Sequence, residues 1–257
     1  MSKLRDLVRQ AGRARPQAIG FAGTTQRTGT RAVVVVALVA DAEEAGAAAK
    51  ADAAALLYTG PADGVAAVIE AAASRPVGCR LDAATGADAA ALAEAGADFL
   101  VLDDARAEAA ALRPPELGVM LLLAGDEDEE QLRSLAMLEP EAALVAHPTE
   151  TTESGRVSAR ALTKLRRRAE LLHAPLAIEA GALDADTLEA WRDSAAPIVV
   201  VPAGRVVDAV AAASEVPPPR DADHRRERST LPPAVAASRA ESREHDHEDD
   251  EDRLRRG

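Results

Sequence analysis

Residues 76–103 read PVGCRLDAATGADAAALAEAGADFLVLD, and this stretch decides the fold. A short apolar run from Pro76 is followed by a polar turn, an alanine-rich helical segment over Ala87–Ala95, a glycine, and a second apolar run from Ala97. Glu94-Ala95-Gly96-Ala97-Asp98 ends the helix on glycine, which closes a helix in the left-handed conformation without a Cβ penalty. Outward from this unit the same rhythm recurs. Apolar runs begin near Val33, Ala54, Pro76, Ala97, Leu117, Ala142, Pro175 and Pro197, each leading into a helical stretch. Strand, turn, helix and turn fill the spacing between starts, so the chain reads as eight βα units closing into a single (β/α)8 barrel of the α/β class over residues 32–214. Helices are expected at 43–55, 65–74, 87–95, 127–138 and 158–173. Pro76, Pro175 and Pro197 each open a strand, where a missing N–H does no harm.

The flanks differ in character. Residues 1–31 hold a short amphipathic helix, with Leu4, Leu7 and Val8 at helical spacing among Lys3, Arg5, Arg9, Arg13 and Arg15. It is expected to cap the barrel. Residues 18–21 then form a pre-barrel strand or plug; the alternative makes them the first barrel strand and leaves a later run unplaced. Beyond Ser214 the chain is broken by Pro217, Pro218 and Pro219, and residues 215–257 are nearly all charged, Pro, Ala or Ser, the composition of a disordered tail. Its acidic run Glu244–Asp252 reads as a solvating segment, with loose metal binding through His245 and His247 as the competing reading.

Composition narrows the function classes. Hydrophobic residues make up 47% of the 257, enough for a core, but aromatics are only 2%, so Ala, Val and Leu must do the packing. A net charge of −13 argues against nonspecific binding to nucleic acid or anionic membranes, since both need a basic face. The basic cluster Lys164, Arg166, Arg167 and Arg168 reads as a solvated helix face. The lone Cys79 excludes an internal disulfide. No apolar run approaches the roughly 18 residues of a membrane span, and the N-terminus lacks a signal-peptide core, so no membrane span and a cytoplasmic location are expected.

Side-chain parity carries the functional reading. One face of each barrel strand meets the helices and is apolar; the other points to the axis. Val77, Cys79 and Leu81 then face the helices, sending Gly78, Arg80 and Asp82 inward. Leu100 and Leu102 face out, sending Phe99, Val101 and Asp103 in. In the sixth strand Leu144 and Ala146 are assigned outward, placing Val145 and His147 inside. In the seventh, Leu176 and Ile178 face out, placing Ala177 and Glu179 inside. Arg80, Asp82, Asp103, His147 and Glu179 thus converge late in their strands, at the C-terminal mouth where barrel enzymes place their chemistry. Asp41, Thr59 and Asp126 end three further strands and could join the rim.

Arg80 suits a carboxylate or phosphate through its planar fork of donors. Glu179 with His147 or Asp103 could move protons. A plainer reading stands beside this one: Arg80 pairs with Glu179 or Asp82 across the barrel, and Asp103 and Asp104 cap the following segment. The 147–157 loop, rich in Thr and Ser, is either a lid or an idle insertion.

The segments Glu94–Leu102 (EAGADFLVL) and Ala180–Leu183, with the seventh- and eighth-strand turns Ile178–Leu183 and Val201–Val206, resemble the phosphate-binding βα-barrel superfamily. That group includes indole-glycerol-phosphate synthase, thiamine-phosphate synthase and flavin-dependent nitronate monooxygenases; bacterial barrel proteins without an assigned reaction are similar too. The resemblance implies a phosphate held by backbone N–H groups after the last two strands, at Gly181 and Gly204, with Arg205 as an added anion anchor. The chain departs from the pattern at Ala182, where members usually carry a second glycine, and at Gly204-Arg205, where they carry Gly-Ser or Gly-Thr. No lysine ends a barrel strand, so Schiff-base chemistry has no candidate.

Three functions are consistent with these residues. The first is a lyase or isomerase acting on a small anionic or phosphorylated metabolite, bound by Arg80, Asp82, Gly181, Gly204 and Arg205, with Glu179, His147 and Asp103 moving protons. The second is a catalytically silent barrel serving as a binding or scaffold module, its charged termini reaching a protein partner. The third is a metal-dependent hydrolase using the same carboxylates. No cofactor is named by any motif, and no residue is assigned to a metal.

Overall fold

A computed structural model describes residues 2–12, 31–81, 83–145, 157–180 and 183–219. Eight parallel strands pair in sequence order and close, β1 with β8, into a barrel. They are β1 (Val34–Val39), β2 (Ala55–Tyr58), β3 (Val77–Arg80), β4 (Phe99–Leu102), β5 (Gly118–Leu123), β6 (Ala142–Val145), β7 (Leu176–Glu179) and β8 (Ile198–Pro202). The first of the eight is Val34–Val39; residues 18–21 lie outside the described residues. So does the tail from 220 onward.

Strand-opening prolines lose a donor but keep their acceptor. The carbonyls of Pro76, Pro175 and Pro197 accept from Leu56, Ala143 and Val34 on the neighbouring strands, at 3.0, 3.0 and 2.8 Å. The ladder therefore starts one residue before each strand proper.

Helices α2 (Ala42–Lys50), α3 (Val65–Ala71), α4 (Gly86–Ala95), α5 (Glu129–Ala136), α6 (Ala159–Leu172), α7 (Ala185–Asp193) and α8 (Val206–Glu215) wrap the barrel, after the N-terminal α1 (Lys3–Ala11). Short polar side chains cap most of them: Asp41, Thr85, Asp128, Ser158 and Asp184 each accept a first-turn backbone N–H. Helix α4 ends on Gly96 at φ +90°, as the sequence pattern requires.

Two expectations need correction. Helix α2 stops at Lys50, short of residue 55, because Ala55 already pairs with Val36 as the start of β2. Between β4 and β5 there is no α-helix, only a 3-10 turn over Ala109–Leu112, followed by Pro114 and Pro115. Those prolines cannot continue an alanine-rich helix. The turn packs on α4 and leaves a gap before α5.

The core has two parts. Outward side chains such as Val35, Leu56, Cys79, Leu100, Leu121, Leu176 and Val199 pack beneath the helices. The inward set is a separate cluster that also takes in Leu4 and Ala11 of α1. Helix α1 thereby closes the N-terminal end of the barrel. Its first N–H groups are held from the barrel side: Lys3 and Leu4 donate to the Asp98 carboxylate at 2.7 and 2.9 Å.

The staggered register sorts inward residues into layers drawn from alternate strands. From the α1 end upward these are Ala55, Phe99, Ala142 and Ile198; then Val36, Gly78, Met120 and Ala177; then Leu57, Val101, Leu144 and Val200. The uppermost paired layer is Leu38, Arg80, Leu122 and Glu179. Three layers are apolar, and charge enters only at the fourth.

Candidate functional site

Strands β3 and β7 stand opposite each other in an eight-stranded barrel, so Arg80 and Glu179 reach toward the axis from facing walls. Their side chains meet, Arg80 Nη1 lying 3.7 Å from Glu179 Oε2. Side-chain exposures of 30% and 39% show a pair at the mouth, neither sealed nor fully solvated. Leu38 and Leu122 fill the other two positions of the layer, half-buried against the interior cluster. The floor beneath is apolar: Leu57, Val101, Leu144 and Val200 are each buried. Among the described residues, Glu179 is the only ion-pair partner of Arg80, and no hydrogen bond locks the two together.

Strands β3, β4 and β7 point their side chains as alternation predicts, and β6 does not. Leu144 belongs to the interior cluster and Val145 to the layer under the helices, the reverse of the expected assignment. The inward series of β6 therefore runs through even-numbered positions, and the case for His147 at the axis loses its basis. His147 itself, like Asp82 and Gly181, lies outside the described residues.

Asp103 follows β4 on the inward series, yet its Oδ1 accepts the N–H of Ala105 at 3.0 Å and its carbonyl accepts from Ala107 at 2.9 Å. It shapes its own loop without capping a helix, since the next element is the turn Ala109–Leu112, whose N-cap position is Glu108. Asp41 caps α2, accepting from Glu44 at 2.9 Å, and Thr59 donates to the Val39 carbonyl at 3.4 Å. Arg205 sits at the start of α8, ion-paired with Asp208 at 3.4 Å. A Cβ added to Gly204 would meet nothing within 4 Å, so this glycine is not required by close packing. No side chain caps the turn Ala203–Arg205 that leads into α8. The structure thus unites Arg80 with Glu179 and leaves Asp103, Gly204 and Arg205 engaged elsewhere or open.

Three features escaped the sequence reading. Leu38 and Leu122 complete the mouth layer, and alternation along β1 and β5 carried that signal. The third is an open cleft of about 640 Å³ beside the mouth, over Leu122 and Ala124, whose walls include Asp104, Asp126, Glu127 and Glu130. The rim is therefore polarised, with a guanidinium on the β3 side and carboxylates in the loops after β4 and β5. The basic face of α6 is consumed by surface pairs: Arg167 forks onto Glu129 at 3.1 and 3.0 Å, and Arg166 pairs with Glu170. These contacts pull the Glu129 carboxyl below its usual range, the hydrogen bond from Arg167 being the main cause. Cys79 is no nucleophile: it faces the helices, and burial pushes its thiol up to about 12. Among the described residues no group of three His, Cys, Asp or Glu side chains is arranged to hold a metal, and no helix is long and apolar enough to cross a membrane.

No family model matches the chain, and no curated protein sequence gives a significant match. Solved structures do match in shape. A mutant tryptophan synthase α-subunit from Pyrococcus furiosus is 14% identical with a TM-score of 0.55, covering 68% of this chain and 89% of its own. KGPDC from Streptococcus mutans is 15% identical with a TM-score of 0.56, covering 71% and 94%. At such identities the likeness establishes the (β/α)8 fold and nothing finer.

Proposed function

We infer that the C-terminal mouth binds a small anionic metabolite, with a phosphorylated compound as the preferred class, and that Arg80 is its anchor. The observation that carries this reading is the loose Arg80–Glu179 pair set on an apolar floor. A guanidinium half-withdrawn from water above buried aliphatic side chains attracts an anion strongly, because the local dielectric is low. It offers a planar fork of donors that a carboxylate or phosphate fits and that Glu179 does not saturate. Entry of a ligand anion would displace the Glu179 carboxylate, leaving it beside the ligand as the one group on the axis, among the described residues, able to take or return a proton. Lyase or isomerase chemistry is the reaction class this would serve. The uncapped turn into α8 supplies backbone N–H groups for the far side of the anion.

The competing reading is a barrel that binds without reacting. Its support is Asp103, which is committed to its own loop and so leaves Glu179 without a second proton-moving group among the described residues.

Titration with inorganic phosphate and a panel of sugar phosphates, read by calorimetry, tests the proposal. Wild-type protein is expected to bind at least one of them, Arg80→Met to lose tenfold or more, and Glu179→Gln to bind more tightly because the competing carboxylate is gone. Equal affinities for wild type and Arg80→Met would refute the anchor. If a substrate is then found, loss of turnover in Glu179→Gln with binding intact selects the enzyme reading, and unchanged turnover removes Glu179 from it.

A further inference from the structure

The sector between β4 and β5 lacks the helix that every other unit places on the barrel wall, and this absence leaves a groove. A cavity of about 320 Å³ opens between the 3-10 turn and α5, floored by Leu102, Leu112, Leu135 and Leu138. It shares Asp104, Ser134 and Leu135 with the larger cleft at the mouth, so the two adjoin along the flank of the barrel. Leu138 on its floor is 39% exposed and Met137, its neighbour in the chain, is 83% exposed, two of the three large apolar side chains that the described residues leave in solvent. Apolar side chains clustered at a groove mark an interaction surface more often than chance.

Charge defines what fits. No lysine or arginine lines either cavity, while Asp104, Asp126 and Glu130 stand exposed along the walls. Among the described residues none of these three has an ion-pair partner. We propose that this groove docks a basic amphipathic helix of another protein, which takes the place of the missing barrel helix. Its apolar side chains at i, i+3, i+4 and i+7 would lie on Leu112, Leu135 and Leu138, and its lysines or arginines would meet the three carboxylates. A second copy of this chain does not fit in a two-fold contact, because the same carboxylates would face one another.

The test uses the full-length chain and an 18-residue helical probe peptide of Leu and Lys, with Leu at helical spacing, beside a permuted peptide of equal composition without a continuous apolar face. The helical probe is expected to bind at least tenfold more tightly than the permuted one, and to weaken with added salt. Asp104→Asn/Asp126→Asn/Glu130→Gln and Met137→Ser/Leu138→Ser should each lower its affinity at least tenfold. Both variants change exposed side chains, and circular dichroism checks that they fold. Absent binding, equal binding of the two peptides, or binding that survives both variants would overturn the proposal; the last result would assign the peptide to the acidic run 244–252 instead. Self-association abolished by the same variants would also overturn it, making the groove a contact between copies.

Discussion

A methyl group built on Gly78 would lie 2.1 Å from Cε2 of Phe99, on the adjacent strand inside the barrel. One aromatic ring therefore fills space that two neighbouring strands would otherwise share. Ala55 and Ala142 in the ring's own layer leave it the remaining room. Phe99 is buried in the interior cluster, which leaves its ring little room to move aside. Gly78→Ala is expected to destabilise the barrel by about 1–3 kcal/mol, the usual cost of overpacking. Phe99→Leu in the same chain should recover part of the loss. Denaturant midpoints of the two single variants and the double variant measure this; strict additivity would show that the contact is not the cause.

At the closed end, Asp98 fixes α1 with a carboxylate on two backbone N–H groups. This is a helix cap supplied from elsewhere in the chain, and it acts together with the Ser2 side chain, which accepts from Arg5 at 3.2 Å. Asp98→Ala should cost about 1–2 kcal/mol, in the range of a lost N-cap. Amide exchange would quicken across 3–11 while the strands stay protected. Uniformly faster exchange throughout the molecule would mean that α1 folds as one unit with the barrel.

The barrel was legible because its period is carried by eight apolar runs and by glycine and proline punctuation. Its axis was legible only where a strand carries a polar marker. Arg80 and Glu179 sit at the last positions of β3 and β7, still inside the pleat, so alternation fixes their direction. Strand β6 reads Ala142-Ala143-Leu144-Val145, apolar on both faces, as strands covered on both sides tend to be. Assigning Leu144 outward there rests on no polar marker inside the paired residues Ala142–Val145, and the packing reverses it, with Leu144 in the interior cluster and Val145 beneath the helices. The missing helix after β4 was similarly hidden, since Ala107–Leu112 has a helical composition and only Pro114-Pro115 signals how little of it can form. The ion pair across the mouth appeared in the sequence as one of two readings of Arg80. Distance decides that contact, and it leaves the proposed anion role to experiment.

Left-handed turns offer a route to a more stable barrel. Asp52, Glu139, His173 and Ala195 close helices at φ between 50 and 66° without the help of glycine. A side chain there costs about 1–2 kcal/mol, partly offset by the greater freedom glycine has in the unfolded chain. Ala195 has no polar side chain with which to soften the strain. Ala195→Gly should therefore raise stability by about 0.5–1 kcal/mol, seen as a higher denaturant midpoint with an unchanged slope. A lower midpoint would show that the Ala195 methyl, packed against the core, outweighs its backbone strain.

Cys79 links packing to pH. Its thiol lies beneath the helices on the outward face of β3, and burial raises its pKa from 9.0 to about 12. Between those values the unfolded chain gives up the proton and the native chain keeps it. The unfolded state then binds fewer protons, so the Cys79 contribution to stability holds below about 9 and declines as pH climbs toward 12. Wild type should lose more stability than Cys79→Ala between pH 8 and pH 10.5 (values set by the experiment), although the variant starts lower because it leaves a small cavity. The thiolate is the reactive form, so a thiol reagent at pH 8 should label Cys79 only as fast as the chain opens, and at once in denaturant. Rapid labelling of the folded protein would place the sulfur at the surface and contradict the outward, helix-covered parity of β3.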